Sequence, residues 1–416
     1  MSDLITIDEA RRRVLESVIP LGDEPVGLGD ALGRVLAEDV ASAIAVPPFE
    51  SSAMDGFAVL AGPGGEREVI GEARAGHPFS GTGVGPGSAV RISTGAVVPE
   101  GADAVVPVER TTAVKGDGSG DAVALNRPIG GKVQPERVSV PEIEPGANVR
   151  RPGEDIPLNA VVLQTGTHLG PAELGVAASV GRAELRCARR PRAAVLVTGD
   201  ELTEPGAALA PGAIYSSNAY ALAAQVASAG GVIVLSAAVP DDPEATRTEL
   251  ARALDTADVL IVSGGVSVGP HDHVKPALAA LGVDERFWGV KLRPGKPTWF
   301  GTRETTLAFG LPGNPVSAMV TFQLFVRPAL AALQGGRSAP RRAVARLDEA
   351  IARNPNREQA VRVRLHQSGN GLTAAPTKGA QGSHVLTSMV GADALALIAP
   401  GEGEAAAGES VEVELL

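Results

Sequence analysis

Val259-Leu260-Ile261-Val262-Ser263-Gly264-Gly265-Val266-Ser267-Val268-Gly269 is the stretch on which the fold turns. Four consecutive branched apolar residues suit a strand covered on both faces. The run stops on a hydroxyl and a glycine pair, the signature of a tight strand-to-helix turn. The same punctuation recurs on either side. Ala193-Ala194-Val195-Leu196-Val197 ends in Thr198-Gly199-Asp200-Glu201, and Leu307-Ala308-Phe309 ends in Gly310-Leu311-Pro312-Gly313-Asn314-Pro315. Val232-Ile233-Val234-Leu235 is a further short strand. Helical segments lie between: about Ser217 to Ala229, then Asp241-Asp242-Pro243 capping a helix through Leu254, then a long helix from Pro315 to about Gln334. Strands alternating with helices predict a parallel α/β sheet, whose ligands sit at the carboxyl ends of its strands.

Outward from this segment the chain changes character. Residues 46–157 are rich in Val, Ala, Pro and Gly, with turn clusters at Ala61-Gly62-Pro63-Gly64-Gly65 and Gly116-Asp117-Gly118-Ser119-Gly120. They read as an inserted β-rich domain that leaves through Pro135, Pro141 and Pro145. Residues 1–22 read as an amphipathic helix, with Thr6 and Glu9 as a capping box and Ile7, Val14, Leu15 and Val18 as its apolar face; its packing on the α/β domain is what the family resemblance given below implies. Residues 23–45 and 158–188 link the parts, and 189–335 form the α/β domain. After Gly335-Gly336-Arg337-Ser338, residues 340–416 alternate at period two, as in Ala360–Leu365 and Ser410–Leu415, and predict a small β-barrel. The expected class is therefore multidomain α/β.

Composition narrows the chemistry. The chain has 416 residues, 44% hydrophobic and 20% charged, with 51 Gly and 32 Pro. That is a globular composition with many turns and no collagen period. A net charge of −11 argues against nucleic acid as a partner, while leaving room for a local anion pocket. One cysteine, Cys187, excludes an intrachain disulfide framework and a Cys-rich zinc site, which fits a cytoplasmic protein. The charge-free stretch Ser216–Pro240 is interrupted by Gly230-Gly231 and reads as helix then buried strand, so no membrane association is expected.

The α/β segment lacks both the P-loop and the dinucleotide glycine pattern. Its three Gly-rich strand ends nevertheless expose backbone N–H groups suited to an oxyanion, with Thr198, Ser263, Ser267 and Ser317 as hydroxyl donors. Asp200, Glu201, Asp241, Asp242 and Asp272 fall on the same edge, and carboxylates beside phosphates suit Mg²⁺. One of Asp241 and Asp242 is needed as a helix cap. Arg293-Pro294-Gly295-Lys296-Pro297 sets two cations on a stiff turn, a pattern that favours a multiply charged oxyanion. His271-Asp272-His273 has no third ligand at zinc spacing, so no zinc site is expected. Cys187 has no base partner and reads as a plain thiol.

Motifs across nearly the whole chain are similar to the molybdopterin molybdenumtransferase family, the MoeA type that also forms the C-terminal domain of gephyrin. The motifs are S-A-M-D-G-F-A at Ser52–Ala58, R-I-S-T-G-A-V-V-P-E-G-A-D-A-V-V at Arg91–Val106, and R-P-G-E-D-I at Arg151–Ile156. T-G-D-E-L follows at Thr198–Leu202 with Asn218 downstream, then S-G-G-V-S-V-G at Ser263–Gly269 with Asp272. P-G-K-P is at Pro294–Pro297, G-L-P-G-N-P-V-S at Gly310–Ser317, and Q-G-S-H at Gln381–His384.

The resemblance implies a MogA-like molybdopterin-binding α/β domain and a chain that inserts molybdenum from molybdate into adenylylated molybdopterin, with Mg²⁺-assisted release of AMP. It assigns Glu201, Asp241 and Asp272 to catalysis and Mg²⁺. It assigns Asp55, Thr94 and Asp155, with Arg150 and Arg151, to a contribution across a homodimer interface. Thr198, Gly199, Asn218, Ser263, Gly264, Gly265, Ser267, Pro312, Gly313 and Asn314 would bind molybdopterin. Arg293, Lys296, Ser317, Arg357 and Arg362 would bind molybdate. Many members carry Lys at the place of Arg293, which keeps the charge but changes a point into a planar fork. The implied partners are a separate molybdopterin adenylyltransferase and molybdoenzyme or chaperone acceptors. The related adenylyltransferase and a gephyrin-like scaffold are the competing readings; the extra β-rich and C-terminal parts argue against the first.

Overall fold

The computed structural model describes residues 4–114, 136–266, 272–369 and 371–416. Ser267, His271 and the turn cluster at 116–120 lie outside these. Contacts divide the chain into two compact units, one of Met1–Glu38, Thr165–Gly170 and Leu185–Leu416, the other of Asp39–Gln164 and Pro171–Glu184.

The first unit begins with α1 (Ile7–Glu16). The Thr6 hydroxyl accepts from the Glu9 N–H at 3.2 Å, but the reciprocal half of the expected capping box is missing. The Glu9 carboxylate is drawn instead to Arg12 and Arg13, which hold it well ionised, with a pKa pulled down to about 2. The buried face of α1 is Ile7, Ala10, Arg11 and Val14, so an arginine occupies a position that hydropathy alone gives to solvent.

In the second unit a six-stranded sheet is built from β1 (Gly56–Val59), β2 (Gly65–Ala73), β3 (Ser88–Ile92), β4 (Ala104–Pro107), β5 (Thr112–Val114) and β6 (Glu136–Val140), in the order β4-β1-β3-β2-β6-β5. β1, flanked on both sides, is buried at every position, and each face of the sheet carries its own apolar cluster. This matches the β-rich reading of that stretch.

The α/β sheet of the first unit consists of β7 (Arg192–Thr198), β8 (Val232–Val239), β9 (Val259–Ser263), β10 (Asp284–Trp288), β11 (Trp299–Arg303) and β12 (Thr306–Leu311), in the order β8-β7-β9-β12-β11-β10. The pairs β8–β7, β7–β9 and β9–β12 are parallel, whereas the pairs β12–β11 and β11–β10 are antiparallel, so β11 alone runs against the other strands. The parallel part is the one expected. Strands β10 and β11 are an addition: Asp284-Glu285-Arg286-Phe287-Trp288 is largely exposed and polar, so it carries no strand periodicity. Between the strands run α2 (Ser217–Ser228), α3 (Pro243–Thr256) and α4 (Val274–Ala280), followed by α5 (Pro315–Leu333), which has one π turn at Phe322–Val326. One core forms where α1, α2 and α5 cover one face of the sheet, and α3 and α4 cover the other. By length and composition α5 is apolar enough to cross a membrane, yet 78% of its apolar window is buried inside this unit.

Asp242 caps α3, its Oδ1 accepting from the Ala245 N–H at 2.8 Å, with Pro243 at the first turn. Asp242→Ala is expected to cost about 1 kcal/mol, read as a small fall in thermal midpoint.

The C-terminal part closes on itself. β13 (Arg342–Leu347), β14 (Glu358–Ser368), β15 (Gly371–Pro376), β16 (Ala394–Ile398) and β17 (Ser410–Leu415) pair in the ring β14-β15-β13-β17-β16, and β16 returns to β14. This is the small barrel read from the period-two alternation, and full closure leaves no edge strand. Outside the ring, Leu292–Arg293 pairs in parallel with Glu358–Gln359 of β14. A charged seam joins the barrel to α1: buried Arg11 donates to Glu414 at 2.8 Å, and Arg342 reaches Glu412, Asp8 and Glu414.

Candidate active site

The carboxyl ends of β7, β9 and β12 meet because those strands are parallel neighbours. Ser263, the final residue of β9, donates through Oγ to the Pro312 carbonyl at 3.1 Å. Asn218, in the first turn of α2, donates to Ser263 Oγ at 2.9 Å and to the Gly313 carbonyl at 2.7 Å. One amide therefore joins the β9 loop, the β12 loop and the start of α2. Gly264, at φ +99°, is required by close approach: a Cβ there would lie 2.7 Å from Thr198 Oγ1 and 2.8 Å from the Thr198 carbonyl. At Gly199, φ +148°, a Cβ would meet only the tip of the flexible Glu201 side chain, at 2.5 Å.

These turns enclose a cavity of about 620 Å³. Thr198, Glu201, Asn218, Ser263, Gly264, Gly265, Pro312, Gly313 and Asn314 line it, as do Tyr215, Ser216, Pro297 and His384. The first-turn N–H groups of α2 have no intrahelical acceptor, and the helix dipole places partial positive charge on that wall. Asn218→Leu is expected to uncouple the two loops and weaken anionic ligands about tenfold, measured by calorimetric titration of AMP.

The carboxylates are spread along the adjoining edge. β7 and β8 end together, Thr198 opposite Val239, so residues 199–201 and 240–242 leave the sheet side by side. The Asp200 Oδ1 accepts from the Asp241 N–H at 3.0 Å, which fixes that exit. Glu201 lines the cavity, while Asp241 is exposed and Asp242 is consumed as a cap. Asp272 is half-buried at the entry to α4. Among the described residues no group of three or more His, Cys, Asp or Glu could hold a metal ion. The donor set is all-carboxylate, which fits an ion whose shell is completed by substrate oxygens and water rather than a dedicated protein cage.

Arg293 and Lys296 flank a turn pinned by the Val290 N–H on the Lys296 carbonyl at 3.0 Å and by Thr298 Oγ1 on the Gly295 carbonyl at 2.7 Å. Both side chains are exposed, and neither has a carboxylate partner among the described residues. The pairing of Leu292–Arg293 with Glu358–Gln359 brings the backbone of Arg357 beside this turn. Ser317 is buried in the first turn of α5. Arg362 is placed differently. It is 1% exposed, and its guanidinium donates to Ser388 Oγ and to the carbonyls of Ala360 and Gly382. Burial pushes its pKa down to about 10. Its backbone exchanges hydrogen bonds with Gln381, so Arg362 braces the Gln381–His384 loop instead of joining the exposed cations. That loop accepts the Val316 N–H on the Ser383 carbonyl at 3.1 Å and brings His384 to the cavity.

In the other unit, Asp55 Oδ1 accepts from the Thr94 N–H at 2.6 Å and from Thr94 Oγ1 at 3.0 Å. These bonds hold the Asp55 carboxyl below its ordinary range. Beside Thr94, Gly95 lines a second cavity, of about 530 Å³, with Arg150, Glu154, Asp155 and Phe49. The two signature segments of that unit and Arg150–Asp155 are thus brought together. Arg151 donates its N–H to Glu154 Oε2 at 3.0 Å.

Sequence reading did not single out Tyr215 or Ser216, named Pro297 only as stiffening the cationic turn, and quoted His384 only within a motif. None sits in a glycine-rich turn, and only the proximity of Tyr215 and Ser216 to Asn218 signalled them.

Known proteins match the chain along nearly its whole length. The profile of the MoeA N-terminal region (domain I and II) matches residues 5–181, that of a probable molybdopterin binding domain matches 194–332, and that of the MoeA C-terminal region (domain IV) matches 344–416. A protein of Haemophilus influenzae named molybdopterin molybdenumtransferase is 35% identical over 99% of this chain and 98% of its own. Gephyrin of Dictyostelium discoideum is 32% identical over 80% of this chain and 50% of its own. The crystal structure of a molybdopterin biosynthesis MoeA protein from Pyrococcus horikoshii superposes with a TM-score of 0.80 at 27% identity, covering 100% of both chains. With three profiles in order and full-length relatives above 30% identity, the chain belongs to the molybdopterin molybdenumtransferase (MoeA) family.

Proposed function

We propose that this chain inserts molybdenum from molybdate into the dithiolene of adenylylated molybdopterin, with Mg²⁺-assisted release of AMP, and that it works as a cytoplasmic homodimer. It is an enzyme of molybdenum cofactor biosynthesis. The observation that carries the finer reading is the strand-end cavity of about 620 Å³, beside a turn whose Arg293 and Lys296 have no carboxylate partner among the described residues. A cavity floored by backbone amides suits pterin and phosphate oxygens. Fixed cations with no internal partner suit a small dianion such as molybdate.

In this reading Asn218, Ser263 and the glycine turns orient the substrate, while Arg293, Lys296 and Arg357 hold molybdate. Ser317 supports the oxyanion side from the first turn of α5. Glu201 and Asp241, with Asp272, would hold Mg²⁺, which when bound neutralises phosphoanhydride charge and makes AMP a better leaving group. Asp55, Thr94, Arg150 and Asp155 would act from the partner copy of the chain. The activated pterin comes from a separate adenylyltransferase, and the product passes to a molybdoenzyme or chaperone.

Purified protein mixed with adenylylated molybdopterin, Mg²⁺ and molybdate should release AMP and reconstitute an apo-molybdoenzyme. Substrate binding with neither release nor reconstitution would overturn the reading.

A further inference from the structure

The chain has two tyrosines: Tyr215 lines the strand-end cavity, and Tyr220 follows it in α2. Tyr215 is 45% exposed and Tyr220 57% exposed. Their hydroxyls are engaged: Tyr215 donates to the Ala207 carbonyl at 3.2 Å, and Tyr220 to Glu204 Oε2 at 3.0 Å. Each ring is therefore held by its far end while its body faces solvent. Ile214, 54% exposed, and Leu202 continue the apolar rim at the cavity mouth.

The rim is built to stay put. Leu202–Thr203 and Ile214–Tyr215 form a short parallel pair. The Ile214 N–H donates to the Glu201 carbonyl at 2.8 Å, and the Ser216 N–H to the Thr203 carbonyl at 2.9 Å. The cavity is consequently two-faced. Its floor offers amides, hydroxyls and a helix N-terminus, while its rim offers an aromatic ring and branched aliphatics that the protein itself leaves uncovered. A ligand satisfying both faces carries an oxyanion joined to a flat apolar ring. Tyrosine suits the second task, being rigid, broad and cheap to immobilise.

We propose that Tyr215 is the stacking platform for a planar heteroaromatic ring of the substrate, with Leu202 and Ile214 extending its surface. This rests on the substrate reading above, which supplies two such rings, adenine and pterin. The polar floor holds the attached oxyanion, and Tyr215 fixes the direction in which the ring leaves it.

The test is calorimetric binding of AMP, a soluble 6-substituted pterin and ribose 5-phosphate to full-length wild-type protein, Tyr215→Ser and Tyr215→Phe. Tyr215→Ser should weaken at least one ring-bearing ligand about tenfold and leave ribose 5-phosphate unchanged, and Tyr215→Phe should retain most of the affinity. A loss confined to AMP assigns the platform to adenine, and one confined to the pterin assigns it to pterin; either outcome bears the proposal out. Wild type binding neither ring ligand better than Tyr215→Ser does, or equal losses for ribose 5-phosphate, overturns it. The transferase assay on wild-type protein tests the underlying substrate reading separately, so the two failures are distinguishable.

Discussion

Lys296→Ala is expected to lower molybdenum transfer by about two to three orders of magnitude. The turn that carries Lys296 is pinned by the Val290–Lys296 and Thr298–Gly295 hydrogen bonds, so the ammonium is presented without being consumed. A charge that no carboxylate neutralises gains nothing for folding, and removing it costs little stability. Its value lies in the oxyanion it would hold, which the neutral variant must bind with one fewer cation. The loss should fall on reconstitution of an apo-molybdoenzyme and be partly relieved by millimolar molybdate. The thermal midpoint should stay near that of the wild type. Lys296→Arg separates charge from shape, because a guanidinium restores the charge and not the compact ammonium. Unchanged transfer by Lys296→Ala at low molybdate would remove Lys296 from the oxyanion site.

Arg11→Met is expected to destabilise the fold by about 3 kcal/mol. Glu414 is 1% exposed, and the variant would leave its carboxylate with Arg342, at 3.9 Å, as its remaining ion-pair contact. Burial already raises the Glu414 pKa, with Arg11 and Arg342 working against that rise. Glu358 beside it is raised as well, by burial and then by Asp8 and Glu412. A carboxyl whose folded pKa exceeds its unfolded value binds protons more tightly when folded. Stability is therefore greatest below the unfolded value, near pH 4, and is lost as pH rises through the folded value. Removing Arg11 raises the folded value further. The deficit of Arg11→Met should thus be large at pH 8 and shrink toward pH 5, as read by thermal unfolding. Glu414→Gln in the same background should recover much of the loss, because an amide can be buried without a counter-charge. A deficit independent of pH would mean that lost packing, not the stranded carboxylate, is responsible.

The parallel strands could be read from the sequence because burial on both faces leaves an unbroken apolar run, as at Val259–Val262. The same physics hid β10: three of its five residues are exposed, and an edge strand with polar residues resembles a loop. The glycine turns could be read because φ above zero and close approach demand glycine, as at Gly264. Arg11 was illegible because helical periodicity assigns charge to solvent, and its partner is far away in sequence. The burial of Arg362 was hidden for a related reason. An arginine in an alternating strand looks like an exposed cation, and only the Ser388, Ala360 and Gly382 acceptors reveal it as a buried brace. Tyr215 carried no pattern at all, since its significance lies in an aromatic surface the fold leaves bare.

The bond between Arg11 and Glu414 spans 403 residues. A ribosome adding roughly 5–20 residues per second takes about 20–80 s to cover that distance. For most of that interval α1 is outside the exit tunnel with its apolar residues synthesised and its arginine unanswered. The helix is too short to be stable alone. The nascent chain therefore carries an unfinished, partly apolar segment through most of its synthesis.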